Sequence, residues 1–526
     1  MTTTRWMSRL CLVAVAMSVN TARSQEVPKR ATENTMHVAK AEETSSTRDA
    51  AVVIGGETID YTATVGDIVL RDEEGKAKAR FVYVSYLRKD VPDRKRRPVT
   101  FSFNGGPGSA SVWVHLGAFG PKKVELDPEG MPLGPPPGRL IDNPYSLLDA
   151  TDLVFIDPVQ TGFSRPAPGE DPKQFIGFSN DAESVSEFIR LWVSRNGRWA
   201  SPKFIAGESY GATRSAGLAK HLQDTHGMFL NGICLISSGI HFQTKNFSVG
   251  NDLPYVLFLP AYAASAWYHS KLPARFDGNL AMALAEAEEF ALGDFATSLM
   301  KGDKLAGEER QRIAGRLSEL TGLGKDYVQK ADLRVNIFRF AKELLRDQGK
   351  TVGRLDSRYT GSDRDDAGER FEFDPSSSVT TGYFVSLIND YLRDELGYES
   401  ALVFRHSAGR LVRPWDFHER ARVLAGDTNR YANHAETLRQ AMHKNPSLKV
   451  LVMSGYYDLA TPYFASDYTV DHMQLDSELR RNIRVAYYEA GHMFYLREAD
   501  HRKFREDYLQ LMRDAASRRA DPSHNR

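Results

Sequence analysis

The feature that most constrains the fold is a series of short apolar segments, each long enough for one buried strand. Five of them end in turn residues, and a sixth follows them: PVTFSFNGG (98–106), DLVFIDP (152–158), KFIAGES (203–209), GICLISSG (232–239), KVLVMSGYYD (449–458) and IRVAYYEAGH (483–492). Continuous apolar runs of this length are typical of parallel strands buried on both faces. Helical patterns lie between several of them. The sequence therefore predicts an α/β fold with helical crossovers.

A long insertion separates the fourth and fifth segments. A gap of roughly 200 residues is too long for a simple crossover, and its patterns at 279–300, 308–320 and 333–348 are helical. We therefore predict a mainly helical cap, 241–440, inserted into one catalytic domain formed by 51–240 and 441–515. Alternating segments at the start of that domain predict a hairpin, with its turn at 72–75.

The N-terminus has the pattern of a secretory signal. Arg5 and Arg9 precede an apolar run from Leu10 to Val19, and the small residues Ala22 and Ser24 follow. We predict a signal peptide, 1–24, and export to the periplasm or the medium; an uncleaved anchor or a buried helix is the alternative. A flexible linker is predicted at 25–50 and a polar tail at 516–526.

Composition excludes some partner classes. Lys plus Arg and Asp plus Glu both total 68, and no block of charge indicates a nucleic-acid surface. The N-terminal run is too short to span a bilayer comfortably, and no other run reaches transmembrane length. Cys11 lies in the predicted signal, which leaves Cys234, in an apolar run, as a small buried residue without a disulfide.

The third apolar segment leads into Gly207-Glu208-Ser209-Tyr210-Gly211, which matches G-x-S-x-G between a strand and a helix. This is the pattern of a nucleophile elbow, a sharp turn that needs small flanking residues and projects the serine hydroxyl above the sheet. A chance match in a tight turn is the alternative. We predict Ser209 as the nucleophile.

A serine nucleophile needs a base and an acid, which follow it in the order Ser, Asp, His in folds of this kind. Asp458 and His492 each stand at the end of a predicted strand. His492 would take the serine proton, and Asp458 would orient the imidazole. Competing residues lack a preceding strand: His472, His501, Asp467 and Asp471.

The tetrahedral intermediate of acyl transfer needs backbone donors. The N–H of Tyr210, directly after the nucleophile, is one candidate, and the glycine-rich loop that follows the first apolar segment supplies the other. A structural Gly/Pro turn is the alternative for that loop. Such chemistry needs no metal or cofactor, and the sequence contains neither a ligand cluster nor a phosphate-binding loop.

Together these residues resemble the serine carboxypeptidase family. The matching segments are FNGGPGSAS, DPVQTGFS, GESYGA, SGYYD and AGHM, within 101–493. The resemblance implies an α/β-hydrolase fold, a peptide substrate with a free C-terminus, and the triad Ser209, Asp458 and His492. It also implies an oxyanion hole formed by the amides of Gly106 and Tyr210.

The resemblance implies that Asn104 and Glu208 bind the substrate carboxylate, with Glu208 protonated. A carboxyl group beside a carboxylate has a raised pKa, which favours acidic conditions. The chain departs from the family at several positions: Ser102 replaces a tryptophan, Ala118 a second glutamate, Ser109 a cysteine, and Phe494-Tyr495 a Val-Pro pair. His115 or Arg214 is a candidate to compensate with positive charge.

Three functions are compatible with these residues. The first is a serine carboxypeptidase acting through an acyl-enzyme. The second is an esterase or acyltransferase using the same triad, which the lost carboxylate contacts keep open. The third is a binding protein that retains only the pocket.

Overall fold

The computed structural model describes residues 42–517. Within them the strands are β1 (Ser45–Ile54), β2 (Glu57–Arg71), β3 (Ala77–Arg88), β4 (Val99–Phe103), β5 (Lys122–Val124), β6 (Leu140–Asp142), β7 (Asp152–Asp157), β8 (Arg165–Pro166), β9 (Lys203–Glu208), β10 (Gly232–Ile236), β11 (Thr351–Val352), β12 (Thr360–Gly361), β13 (Lys449–Gly455) and β14 (Ile483–Tyr488). The α-helices are α1 (Phe178–Arg195), α2 (Tyr210–His226), α3 (Leu253–Tyr268), α4 (Leu280–Phe290), α5 (Ala296–Lys301), α6 (Gly307–Thr321), α7 (Lys325–Lys330), α8 (Ile337–Glu343), α9 (Pro375–Asp390), α10 (Arg420–Leu424), α11 (His434–Lys444), α12 (Tyr463–Asp471), α13 (Ser477–Arg480) and α14 (Glu498–Ala516).

Three predictions concern the chain termini: the signal peptide, the linker and the polar tail. The predicted signal peptide and nearly all of the predicted polar tail lie outside the described residues. Most of the predicted linker, 25–50, lies outside them too. Its last part is wrong as a linker, because β1 begins at Ser45 and pairs with β2 along its whole length. The first residues of β1 are exposed, so no apolar alternation marks them as strand.

One sheet organises the described residues. It contains ten strands within 42–517, in the order β1-β2-β3-β7-β4-β9-β10-β13-β14, with β8 paired to β3. The strands from β7 to β14 pair in parallel, which confirms the prediction from the six apolar segments. The other edge is an antiparallel meander, and Gly75 N–H closes the predicted hairpin turn on the Asp72 carbonyl at 3.0 Å.

Both faces of the parallel strands are covered, which explains their continuous apolar sequences. Every residue of β9 is buried. Side chains of α1, α2 and α11 pack on one face, while α9 and α14 contribute to the core on the other. Cys234 in β10 is buried and unpaired, as predicted. Each large apolar side chain buried in this way stabilises the fold by about 1.5–3 kcal/mol.

The segment 237–448 is one long excursion, because β10 and β13 are direct neighbours in the sheet. Much of it is helical and has its own core, in which Tyr262 and Phe340 stack with ring centroids 4.0 Å apart. The predicted cap boundary at residue 440 falls inside α11, whose Leu438 and Met442 pack in the sheet core. None of the helices within 42–517 has both the length and the apolar character needed to cross a membrane.

Candidate active site

The parallel register places the predicted site residues at one edge of the sheet. Phe103 at the end of β4 lies opposite Gly207, and Glu208 at the end of β9 lies opposite Ile236. Carboxyl ends of parallel strands meet at the same edge, where ligands bind in open α/β sheets. The loops that follow these strands therefore converge above the sheet.

Ser209 joins β9 to α2 in a strained turn. Its φ of 60° and ψ of −122° lie in a region that residues other than glycine rarely adopt. A Cβ at Gly207 would lie 2.2 Å from the carbonyl oxygen of Gly211, and a Cβ at Gly211 would lie 2.9 Å from that of Phe103. Both flanking positions therefore require glycine, as a nucleophile elbow does.

His492 and Asp458 are in direct contact. His492 Nδ1 lies 2.6 Å from Asp458 Oδ2, and both side chains are buried. The other carboxylate oxygen, Oδ1, accepts the N–H groups of Ala460 (2.7 Å) and Thr461 (3.0 Å). Burial disfavours a charged imidazole, but Asp458 outweighs it, and the pKa of His492 is raised. Because a carboxylate only accepts, Nδ1 carries the proton and Nε2 is left as the basic nitrogen.

Ser209 and His492 line the same cavity, which has a volume of about 390 Å³. Asn104, Gly106 and Glu208 are also on its walls. Asp458 lies behind His492 and is completely buried. The structure thus brings together residues that lie on four separate stretches of the sequence.

The glycine-rich loop packs directly on the elbow. A Cβ at Gly105 would lie 2.3 Å from the backbone nitrogen of Tyr210, so this close approach requires glycine. The next residue, Gly106, has a φ of 103° and lines the cavity. The amides of Gly106 and Tyr210 are therefore on neighbouring backbone segments beside Ser209.

Glu208 is buried and held by two donors. Asn104 Nδ2 donates to Glu208 Oε1 at 2.9 Å, and the Tyr495 hydroxyl donates to Oε2 in a short hydrogen bond. Burial raises the pKa of Glu208 despite these two donors. In the sequence, Tyr495 stands out only as a departure from the family pattern. A Cβ at Gly117 would lie 2.7 Å from the Tyr495 ring, so this ring packs directly against the residue that precedes Ala118.

Neither His115 nor Arg214 compensates for the missing carboxylate contacts, so that prediction is wrong. Burial lowers the pKa of His115 to about 3, and its Nε2 is bound to the Tyr86 hydroxyl at 2.6 Å. Arg214 is buried, with Nε donating to Asp181 at 2.7 Å and Nη1 to the Asn104 carbonyl at 2.8 Å. Arg214 therefore supports the loop of Asn104 from behind, and His115 is neutral.

A short piece of the insertion, which we call the clasp segment (residues 353–357), holds the loops of both triad candidates. The Leu355 carbonyl accepts the His492 N–H at 2.6 Å, and Asp356 Oδ2 accepts the Gly491 N–H at 2.9 Å. The Arg354 carbonyl accepts the N–H of Leu459, the neighbour of Asp458, at 3.0 Å. No motif in the sequence indicates these contacts.

Sequence comparisons with known proteins find similarity to one family over part of the chain. Residues 70–274 match the family described as serine carboxypeptidase. Serine carboxypeptidase-like 29 of Arabidopsis thaliana is 27% identical over 228 residues, 42% of each chain. Serine carboxypeptidase-like 36 of the same plant is 31% identical over 137 residues, 26% of each chain. The chain thus matches less than half the length of these two relatives.

A longer match links the chain to the lysosomal protective protein of Mus musculus, 22% identical over 438 residues, 78% of this chain and 80% of the relative. Among solved structures, Kex1(delta)p of Saccharomyces cerevisiae, a prohormone-processing carboxypeptidase, is similar with a TM-score of 0.54 and 14% identity. That match covers 86% of this chain and 92% of the other. This likeness supports the fold, which is an α/β-hydrolase fold with a large helical cap.

Proposed function

We propose that the chain is a serine carboxypeptidase that hydrolyses the last peptide bond of peptides through an acyl-enzyme on Ser209, as its similarity to that family suggests. One observation carries the proposal: the 2.6 Å contact between His492 and Asp458, in a cavity that Ser209 also lines. An imidazole oriented by a buried carboxylate beside a strained serine is the arrangement that activates an alcohol.

The first half-reaction forms the acyl-enzyme. Ser209 Oγ attacks the carbonyl carbon of the last peptide bond while His492 Nε2 takes its proton, and Asp458 stabilises the resulting imidazolium. The amides of Gly106 and Tyr210 donate to the oxyanion of the tetrahedral intermediate. As the intermediate collapses, the C–N bond breaks, and His492 gives its proton to the leaving amine of the released residue.

The second half-reaction restores the enzyme. A water molecule attacks the ester carbonyl, and His492 takes one of its protons. The bond to Ser209 Oγ then breaks, and the proton returns from His492 to the serine oxygen. The shortened peptide leaves with a new free C-terminus.

Asn104 and Glu208 are assigned to the carboxylate of the departing residue. Both line the cavity, and the raised pKa of Glu208 favours a neutral carboxyl group that can donate a hydrogen bond. A neutral donor can approach a carboxylate without charge repulsion, which explains why a buried acid suits this position.

Ester hydrolysis or acyl transfer is the second candidate. It is favoured by Ser102 and Ala118, which stand where the family's tryptophan and second glutamate are expected. With fewer contacts to a free C-terminus, the same acyl-enzyme would accept esters, or would pass its acyl group to an alcohol instead of water.

Covalent labelling separates an enzyme from a binding protein. A fluorophosphonate probe is expected to label the wild-type chain, not Ser209→Ala, and to label Ser407→Ala, which removes another serine of the same cavity. Mass spectrometry of matched peptides ending in a free acid, an amide or an ester then identifies the reaction. Release of the last residue from the free acid supports carboxypeptidase activity, and turnover of esters alone supports the second candidate. Absence of labelling together with no turnover of any of the three peptides would support a binding protein.

Export is proposed from the N-terminal sequence. Arg5 and Arg9, the apolar run and the small residues at 22 and 24 are the features of a cleaved signal. N-terminal sequencing of the mature protein should begin at Gln25. A full-length chain that stays with the cytoplasmic fraction would contradict the proposal.

A further inference from the structure

The cavity around Ser209 contains few groups able to bind a negative charge. Its titratable side chains within the described residues are Glu208, Arg354, His406 and His492. Burial lowers the pKa of His406, so this imidazole is uncharged at neutral pH. Arg354 supplies the guanidinium group on the cavity wall.

Arg354 has a fixed backbone and a side chain with little to neutralise it. Its N–H donates to Asp374 Oδ1 at 3.1 Å, and its carbonyl accepts from Leu459 at 3.0 Å. The guanidinium Nε is 3.8 Å from Asp374 Oδ2, and the side chain is 36% exposed. An ion pair of this length and exposure is weak.

Asp374 is also committed to other partners. Its carboxylate accepts the N–H groups of Leu355 (3.2 Å) and Ser376 (3.1 Å), the second as the N-cap of α9. The 3.8 Å contact with Arg354 therefore lacks the bidentate geometry of a strong guanidinium–carboxylate pair. Arg354 lines the cavity and its ion pair with Asp374 is long, so its guanidinium can bind a second anion there.

A second cation adds to the positive potential on this side of the site. Lys245 Nζ lies 4.1 Å from the centroid of the Phe242 ring, and burial together with the charge of Arg354 lowers the pKa of Lys245 to about 8. Burial and Arg354 likewise oppose the rise that Asp458 gives to the pKa of His492. The guanidinium is thus within electrostatic range of the imidazole that the proposed mechanism uses as base.

We propose that Arg354 binds a carboxylate of the substrate's last residue, and specifically the terminal carboxylate. The inference rests on the proposed function and extends it: the inserted segment supplies the cationic half of the carboxylate site, while Asn104 and Glu208 supply the other half. A guanidinium suits this role because its paired N–H groups match the two oxygens of a carboxylate. Its place in the clasp segment puts it beside the loops of His492 and Asp458.

The test uses four N-terminally blocked peptides that differ only in the last residue: Leu acid, Leu amide, Asp acid and Asp amide. Arg354→Gln is expected to lower kcat/KM for Leu acid by about 10- to 100-fold, the value of one charge-assisted hydrogen bond, and to leave Leu amide unchanged. Arg354→Lys keeps the charge and should recover part of the loss. Arg339→Gln, which removes a partly exposed arginine paired with Glu369 elsewhere in the insertion, is the matched control.

The outcomes separate this inference from the proposed function. If the wild type is labelled at Ser209 and cleaves Leu acid, but Arg354→Gln keeps the preference for acid over amide, the inference is overturned alone. A loss confined to the two Asp peptides overturns the assignment to the terminal carboxylate and places the side-chain carboxylate at Arg354. A wild type without labelling or cleavage refutes the proposed function itself. Unchanged labelling of Arg354→Gln shows that the variant is folded.

Discussion

Replacing Tyr495 with Phe tests whether the fold controls the ionisation of Glu208. The Tyr495 hydroxyl donates to Glu208, and both side chains are buried. The change removes one donor and leaves the ring in place beside Gly117, so the packing is preserved. Glu208 then keeps Asn104 as its donor. Because the lost bond favours the charged form, the pKa of Glu208 should rise further in the variant.

The stability that Tyr495→Phe loses depends on whether Glu208 is neutral or ionised. A hydrogen bond to a neutral group contributes about 1 kcal/mol, and one to a charged group about 1.5–3 kcal/mol. The variant should therefore lose about 1 kcal/mol where Glu208 is neutral and about 0.5–2 kcal/mol more where it is ionised. The added loss corresponds to a pKa increase of about one unit.

The pKa shift of Glu208 determines how the destabilisation caused by Tyr495→Phe changes with pH. The folded pKa of Glu208 is raised above its ordinary value of 4.5, so the folded state holds the proton more tightly than the unfolded state. Its contribution to stability is full at low pH and declines as pH rises from that ordinary value through the folded pKa. A larger shift in Tyr495→Phe makes this decline larger, so the difference from wild type should grow with pH.

Urea unfolding at pH 4.5, 6 and 8 measures this difference. Tyr86→Phe is the control, because its buried hydroxyl bonds His115 and Tyr391, whose pKa values lie far from this range. Its destabilisation should be constant with pH. A destabilisation of Tyr495→Phe that is also constant would refute the reasoning, since Glu208 would then not change its charge in the folded protein.

Three further predictions concern the site. Asp458→Asn should lower kcat by about 10⁴-fold in steady-state assays, because an amide can favour the wrong tautomer of His492; a change below tenfold would remove Asp458 from the triad. Gly207→Ala should lower the free energy of unfolding in urea by about 3 kcal/mol or more, because the new Cβ would lie 2.2 Å from a backbone oxygen. The control Gly315→Ala in α6 has no atom within 4 Å of the new Cβ and should leave that free energy unchanged or raise it. Asp356→Ala should lower kcat by about tenfold and leave KM unchanged, as loss of a positioning contact does. Asp356→Asn should recover much of the lost kcat, because the amide keeps an oxygen acceptor for the Gly491 N–H. An equal change of KM in both variants would contradict this positioning role.

The parallel sheet and the elbow are predictable because their signals are local. An apolar run of strand length reports its own burial, and Gly207 and Gly211 report a turn in which a Cβ would meet the backbone. The acid and the histidine are predictable by position, since each follows such a run. Local sequence therefore indicates the contact of Asp458 with His492 across 34 residues.

Other parts of the site have no local signal. Tyr495 reaches Glu208 across 287 residues, and Asp356 reaches Gly491 across 135. Neither contact follows a periodic pattern, because each depends on how separate segments pack. The sequence favours His115 and Arg214 as compensating cations for the same reason: both stand near motifs in the chain, whereas Arg354 stands near them only in the fold.

The clasp segment makes the inserted cap a condition for an assembled site. Leu355 and Asp356 satisfy the N–H groups of His492 and Gly491, and Arg354 faces the cavity from the same segment. If the insertion separates from the sheet domain, those two buried N–H groups lose their acceptors, each at a cost of about 1–3 kcal/mol. The same step would withdraw the cation proposed to bind the substrate. In the proposed mechanism, the orientation of His492 and the recognition of the substrate are therefore coupled through the five consecutive residues of the clasp segment.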